Sequence, residues 1–194
     1  MMDFFNGVRP MFRRGKLTPE QVDGLTAIVN FGRDERYCRA HLAYVLATAF
    51  HETGQQMQPV REGFCKTDAG SRRAVARLFA KGIISRNYAR PDANGNSFYG
   101  RGYVQITHKT NYAKWNLQND PELALHPDMA LVVLFEGMRS GRFRKGKSLS
   151  MLPRVPTVED FTVARGIVNG DVRRNGTMIA GYAMIFYNAL QTVV

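Results

Sequence analysis

Along most of the chain apolar residues recur at intervals of three and four, the period of helices that bury one face. Thr18-Pro19-Glu20-Gln21 joins a threonine cap, a proline at the first helical position and a glutamine placed to complete a capping box. The helix it predicts turns Val22, Leu25, Ile28 and Val29 inward and ends in a charged turn over Gly32 to Arg36. A second helix, from about Tyr37 to Thr53, carries Leu42, Val45, Leu46, Ala49 and Phe50 inward and is the candidate central buried helix. The irregular stretch Gln55 to Gly70 reads as a loop, after which Ser71 is placed to cap a third helix, with Ala74, Val75, Leu78 and Phe79 on one side and a stop at Gly82.

Further along, the polar segment RNYARPDANGNS predicts a loop or short hairpin, with one small sheet near Tyr88 to Gln105. A short helix is expected over Tyr112 to Leu117 and a turn over Pro121 to Leu125. Asp128 is placed to cap a helix with Leu131, Val132, Leu134, Phe135 and Met138 inward, closed by Gly141. Thr157-Val158-Glu159-Asp160 opens another helix, burying Phe161, Ala164, Ile167 and Val168 and ending at Asn169-Gly170. The last runs from about Thr177, with Met178, Tyr182, Ile185, Phe186, Ala189 and Leu190 on its apolar face. The expected class is mainly α, with at most a small sheet or hairpin.

A length of 194 residues suits one domain spanning 1–194, with room for two lobes. Lys and Arg outnumber Asp and Glu by 27 to 16, a formal charge of +11 that favours a polyanionic partner: nucleic acid, an acidic membrane face or an anionic cell envelope. The two cysteines, Cys38 and Cys65, lack metal-ligand spacing and read as free thiols, with one bridge left open. MMDFFNGVRPMFRRGK has neither the apolar core nor the cleavage site of a signal peptide, and no apolar run reaches the roughly 20 residues that span a bilayer.

Candidate chemistry begins at Glu52. Val45, Thr48 and Ala49 precede it by seven, four and three residues, so it leaves the end of a helix otherwise built for burial. Partial desolvation and the negative end of the helix dipole both disfavour its charged form. Glu62, in the following loop beside Arg61, is the more exposed carboxylate. Two carboxyls in unlike settings are the means by which glycosidases separate a proton donor from a base. Gly100 and Gly102 permit close backbone approach, while Tyr99 and Tyr103 offer flat faces to a sugar ring or to the core. His51 reads as a packed histidine orienting Glu52, His108 and His126 as surface residues, and Trp115 as core. Neither a metal site nor a cofactor is expected.

HETG at His51 to Gly54 and FYGRGYVQITHKTNY at Phe98 to Tyr112, followed by Ile167-Val168-Asn169-Gly170, resemble the family 19 glycoside hydrolases, which comprise plant-type chitinases and related phage endolysins. Chain length and the MQPVRE segment look more like the endolysin branch. The resemblance implies a lysozyme-like, two-lobed single domain and inversion at the anomeric carbon. It places Glu52 at the general acid, Thr107 at the residue holding the attacking water, and Gln105 and Asn111 at sugar contacts, with Tyr99 and Arg101 as candidates to line the cleft. It places Glu62 at the base, although the plant pattern sets its base further along; Asp68 is the alternative. The expectation is a monomeric phage lysis enzyme that hydrolyses β-1,4 links of bacterial peptidoglycan, made in the host cytoplasm and reaching the periplasm and wall once a holin opens the membrane. A chitinase is the rival within the same chemistry; a basic nucleic-acid-binding or carbohydrate-binding protein without catalysis is the rival from another class. No nucleic-acid reader motif supports a nucleic-acid partner.

Overall fold

Thr18 accepts the Gln21 amide and Gln21 reaches back to the Thr18 amide, so the capping box forms as expected and opens α2, Pro19–Asp34. The helix runs through the expected turn at Gly32. Gly32 is buried against Leu42, whose Cδ1 would lie 2.6 Å from any Cβ there, and this close packing outweighs the roughly 1 kcal/mol that glycine costs inside a helix. The structure, a computed structural model, describes residues 1–194 and is mainly α-helical with one two-stranded antiparallel sheet. The chain divides into two compact units, residues 1–57 with 134–194, and residues 58–133.

The first unit is built on α3, Arg39–Glu52, whose residues from Leu42 to Phe50 are all buried. Against it packs α8, Val172–Ala189, which also receives α1, Met2–Val8, and α7, Val158–Ala164. The sequence reading missed α1, whose Phe4 and Val8 are nevertheless buried; Phe4 stacks on Phe186 with centroids 6.5 Å apart. Phe50 meets Tyr182 at 4.8 Å and Phe186 at 6.1 Å. α8 begins at Val172, five residues before the expected start, and its buried stripe is Ile179, Ala180, Ala183, Phe186 and Tyr187, with Leu190 buried just past its end. Met178 and Ile185, expected inward, are exposed, because Gly176 and Ala180 set the approach: a Cβ on Gly176 would lie 2.9 Å from the Thr162 carbonyl of α7. α7 has its own capping box between Thr157 and Asp160, then tightens into a 3₁₀ turn over Arg165–Ile167.

In the second unit α4, Asp68–Ala80, starts three residues before the expected cap. Thr67 is the cap, accepting the Gly70 amide at 3.1 Å, and Ser71 instead donates its hydroxyl to the Glu62 carbonyl at 2.9 Å. Phe79, expected on the inner side, is exposed. The sheet pairs β1, Val60–Arg61, with β2, Arg101–Gly102, in the register Val60 to Gly102 and Arg61 to Arg101. Only β2 falls in the expected region, because Asp92 folds the preceding segment into a turn by accepting the amides of Asn94 and Asn96. The short helix α5 covers Lys109–Ala113, earlier than expected. Val75, Ala89 and Tyr99 form the small core of this unit. The helix α6, Pro127–Arg139, begins one residue before Asp128.

A candidate active site

Glu52 ends α3 where the sequence leads it to be. Thr53 donates its hydroxyl to the Ala49 carbonyl at 2.7 Å and accepts the Met57 amide at 3.0 Å, and Gly54, Gln55 and Met57 take positive φ, so the chain turns sharply after the glutamate. The Glu52 side chain is 16% exposed. One and two turns back on the same face lie Thr48 and Tyr44, both fully buried. A polar column thus descends from Glu52 into an apolar helix.

Arg165 is the residue the sequence reading did not assign. Its side chain is 2% exposed and forks onto two carboxylates: Nη1 donates to Glu52 Oε1 at 2.5 Å, Nε to Asp171 Oδ1 at 2.5 Å and Nη2 to Asp171 Oδ2 at 3.1 Å. Asn175 Nδ2 also donates to Asp171 Oδ2. Burial pulls the arginine towards its neutral form, but the hydrogen bond to Asp171 and the charge of Glu52 outweigh it and raise its pKa. Asp171 is held below its ordinary value, chiefly by the Arg165 hydrogen bond. Asp171 takes two of the guanidinium's bonds and Glu52 one. His51, half-buried beside it, is pushed below its ordinary value by burial, with the Glu52 charge opposing.

In the second unit Glu62 opens a 3₁₀ turn directly after β1. Its amide donates to the Gly100 carbonyl at 2.7 Å, its Oε2 accepts the Gly100 amide at 2.8 Å, and its Oε1 accepts the Tyr88 hydroxyl at 2.5 Å. Burial first, and then the Glu62 carboxylate, push the Tyr88 phenol well above its ordinary value and keep it a donor. Gly100 is required here: a Cβ would sit 2.7 Å from Gln105 Oε1, while Gln105 Nε2 donates to the carbonyls of Val60 at 2.9 Å and Gly102 at 3.1 Å. Thr107 donates its hydroxyl to the Gln105 carbonyl at 3.0 Å, and Asn111 Nδ2 donates to the Thr107 carbonyl at 2.8 Å. Positive φ at Gln105 and His108 bends the chain around them. Glu62, Gln105, Thr107 and Asn111 are thus joined through one hairpin.

Tyr99 and Arg101 lie inside this hairpin. Tyr99 is fully buried and Arg101 is 1% exposed, so they shape the loop from within. The Arg101 guanidinium stacks 3.7 Å above the Tyr99 ring and donates to Glu122 at 2.9 Å, to Asp68 at 3.1 Å, to the Ser97 carbonyl at 2.7 Å and to the Tyr112 hydroxyl at 3.0 Å. Asp68, the alternative base, is paired with both Arg101 and Arg72. Cys38 and Cys65 are free thiols, His108 and His126 are exposed, and Trp115 is only partly buried. No helix is long and apolar enough to cross a membrane. No family model, curated protein or solved structure matches the chain.

Proposed function

We propose that the chain is a glycoside hydrolase that cuts β-1,4 links of bacterial peptidoglycan, in the manner of the family 19 phage endolysins it resembles. The observation that carries the reading is the contrast between two carboxyls. Glu52 is bonded by a buried arginine that a second carboxylate, Asp171, also holds, whereas Glu62 accepts neutral hydrogen bonds at both oxygens from Tyr88 and Gly100. In this reading Glu52 passes a proton from Oε2 to the bridging glycosidic oxygen, whose bond to the anomeric carbon breaks so that it leaves as a hydroxyl of the departing sugar. Arg165, held by Asp171, stabilises the negative charge left on Glu52. Thr107 orients a water whose oxygen bonds to the anomeric carbon on the opposite face, and Glu62 takes the proton that the water releases. Gln105 and Asn111 contact the sugars, and a two-lobed, lysozyme-like arrangement belongs to the same proposal. The charge of +11 supports attraction to an anionic envelope. In a phage setting a monomer of this kind accumulates in the host cytoplasm, and a holin gives it passage to the wall.

Purified protein incubated separately with peptidoglycan and with soluble chitin oligomers tests the reading. The expected result is turnover of peptidoglycan that Glu52→Gln lowers by at least about 100-fold, the scale of a lost general acid, with an unchanged circular dichroism spectrum. Turnover of chitin alone would make the protein a chitinase. Lysis that persists in Glu52→Gln, together with salt-dependent retardation of DNA, would favour a nucleic-acid-binding protein.

A further inference from the structure

The second unit holds a pocket of about 720 Å³, well within the size range of small-ligand sites. Its apolar wall is Phe79, Tyr88 and Phe98, and its charged wall is Arg86, Arg90 and Lys109. The single carboxylate on the wall, Asp92, is paired with Lys109 at 2.8 Å and also accepts the amides of Asn94 and Asn96. Arg86 and Arg90 are exposed and make no ion pair. Two unpaired guanidinium groups therefore overhang an aromatic floor, an arrangement suited to a carboxylate carried on a partly apolar arm.

The pocket is continuous with the hairpin that holds Glu62. Tyr88 lines it and donates its hydroxyl to Glu62. His108, which follows Thr107, lines it too and packs edge-on against Tyr88 with centroids 5.0 Å apart. A sugar engaged by Glu62 and Thr107 would lie beside this wall. We infer that the pocket bounded by Arg86, Arg90 and Tyr88 is a subsite for the carboxylate-bearing substituent of the glycan, and that it distinguishes lactyl- or peptide-substituted sugars from plain N-acetylglucosamine polymers. The inference rests on the glycosidase reading above. The shared chemistry is a carboxylate, contributed either by the lactyl group or by the attached peptide.

The test uses Glu52→Gln protein, so that binding is read without turnover, with and without the added pair Arg86→Ala and Arg90→Ala. Calorimetric titration is done with three probes: a peptide-bearing disaccharide from peptidoglycan, the same disaccharide with its peptide removed, and chitotetraose. The pair of substitutions should weaken the peptide-bearing probe about tenfold, as expected for losing two charge-assisted contacts at an open site, and leave chitotetraose unchanged. An equal loss on the peptide-free disaccharide shows that the pocket takes either carboxylate, the peptide's or the lactyl group's, the latter being free only once the peptide's amide bond is gone; a loss confined to the peptide-bearing probe assigns the contact to the peptide. Unchanged binding of both carboxylate probes, an equal loss on chitotetraose, or a single-stranded oligonucleotide that displaces the sugar would overturn the inference. Peptidoglycan turnover by the unsubstituted protein is measured alongside. Turnover without charge-dependent binding defeats the subsite alone, whereas charge-dependent binding without turnover defeats the hydrolase reading alone.

Discussion

Replacing Arg165 with Met keeps most of the side-chain volume and removes the one cation between Glu52 and Asp171. Those carboxylates are 16% and 25% exposed, against 2% for the arginine. Breaking a buried ion pair from one side costs roughly 3–5 kcal/mol, and water that reaches the two carboxylates moves the expected loss to the lower end, about 3 kcal/mol. For a chain of this length that corresponds to a melting temperature lower by about 6–12 °C. Urea melts at pH 7, fitted with a common slope, read the loss directly. The loss should shrink in acid. Arg165 holds the Asp171 pKa below the 3.8 of the unfolded chain, so its contribution is present above about pH 3.8 and disappears as pH falls through the lowered value. The triple variant Arg165→Met, Glu52→Gln, Asp171→Asn should regain at least half of what the single variant loses, because no unpaired charge remains. A single-variant loss under about 1 kcal/mol, or a triple variant no more stable than the single, contradicts the assignment of Arg165 as a buried counter-ion.

Two glycines in long helices should respond in opposite directions. Gly137→Ala in α6 brings a Cβ to 2.1 Å from the Phe143 ring and should destabilise by about 1–3 kcal/mol, whereas Gly181→Ala in α8 meets nothing within 4 Å and should stabilise by about 0.5–1 kcal/mol; thermal melts compare them. Gly100→Ala forces Gln105 off the Val60 and Gly102 carbonyls and should lower peptidoglycan turnover about tenfold or more, with less effect on stability, as steady-state rates and urea melts together will show. His41 and His51 are both held below 6.5 by burial, opposed at His41 by a backbone hydrogen bond with Leu149 and at His51 by the Glu52 charge. Their unfolded forms therefore take up protons first, and stability should fall as pH drops below about 6.5; His51→Gln should flatten that decline in urea melts at pH 7.5 and pH 5.

Local chemistry was legible where a few adjacent residues decide the outcome. Thr18 and Gln21, Thr157 and Asp160, and the positive φ of Gly54, Gly82 and Gly141 all follow from side chains within a turn. Misreadings arose where a distant partner decides. Gly32 looks like a stop until Leu42 is seen against it, and the α8 face is shifted because α7 lies against Gly176. The candidate site divides in the same way. Glu52 and Glu62 were singled out in sequence, but Arg165 lies 113 residues from Glu52 and meets it only through the fold. A signal was present even so: Arg165 follows Phe161 by four residues, which sets a cation on the stripe predicted to be buried. For Tyr88 no comparable signal exists, since its segment is a polar loop whose course depends on Asp92.

The hydrolase reading is tested most directly by the ends that the protein creates. Peptidoglycan is digested, the soluble products are reduced with borohydride, and mass spectrometry identifies each new terminus. New reducing sugar ends, formed by the unsubstituted protein and absent with Glu52→Gln at equal concentration, are the predicted result. New amino termini from cut peptides, or the same sugar ends from Glu52→Gln, would contradict it.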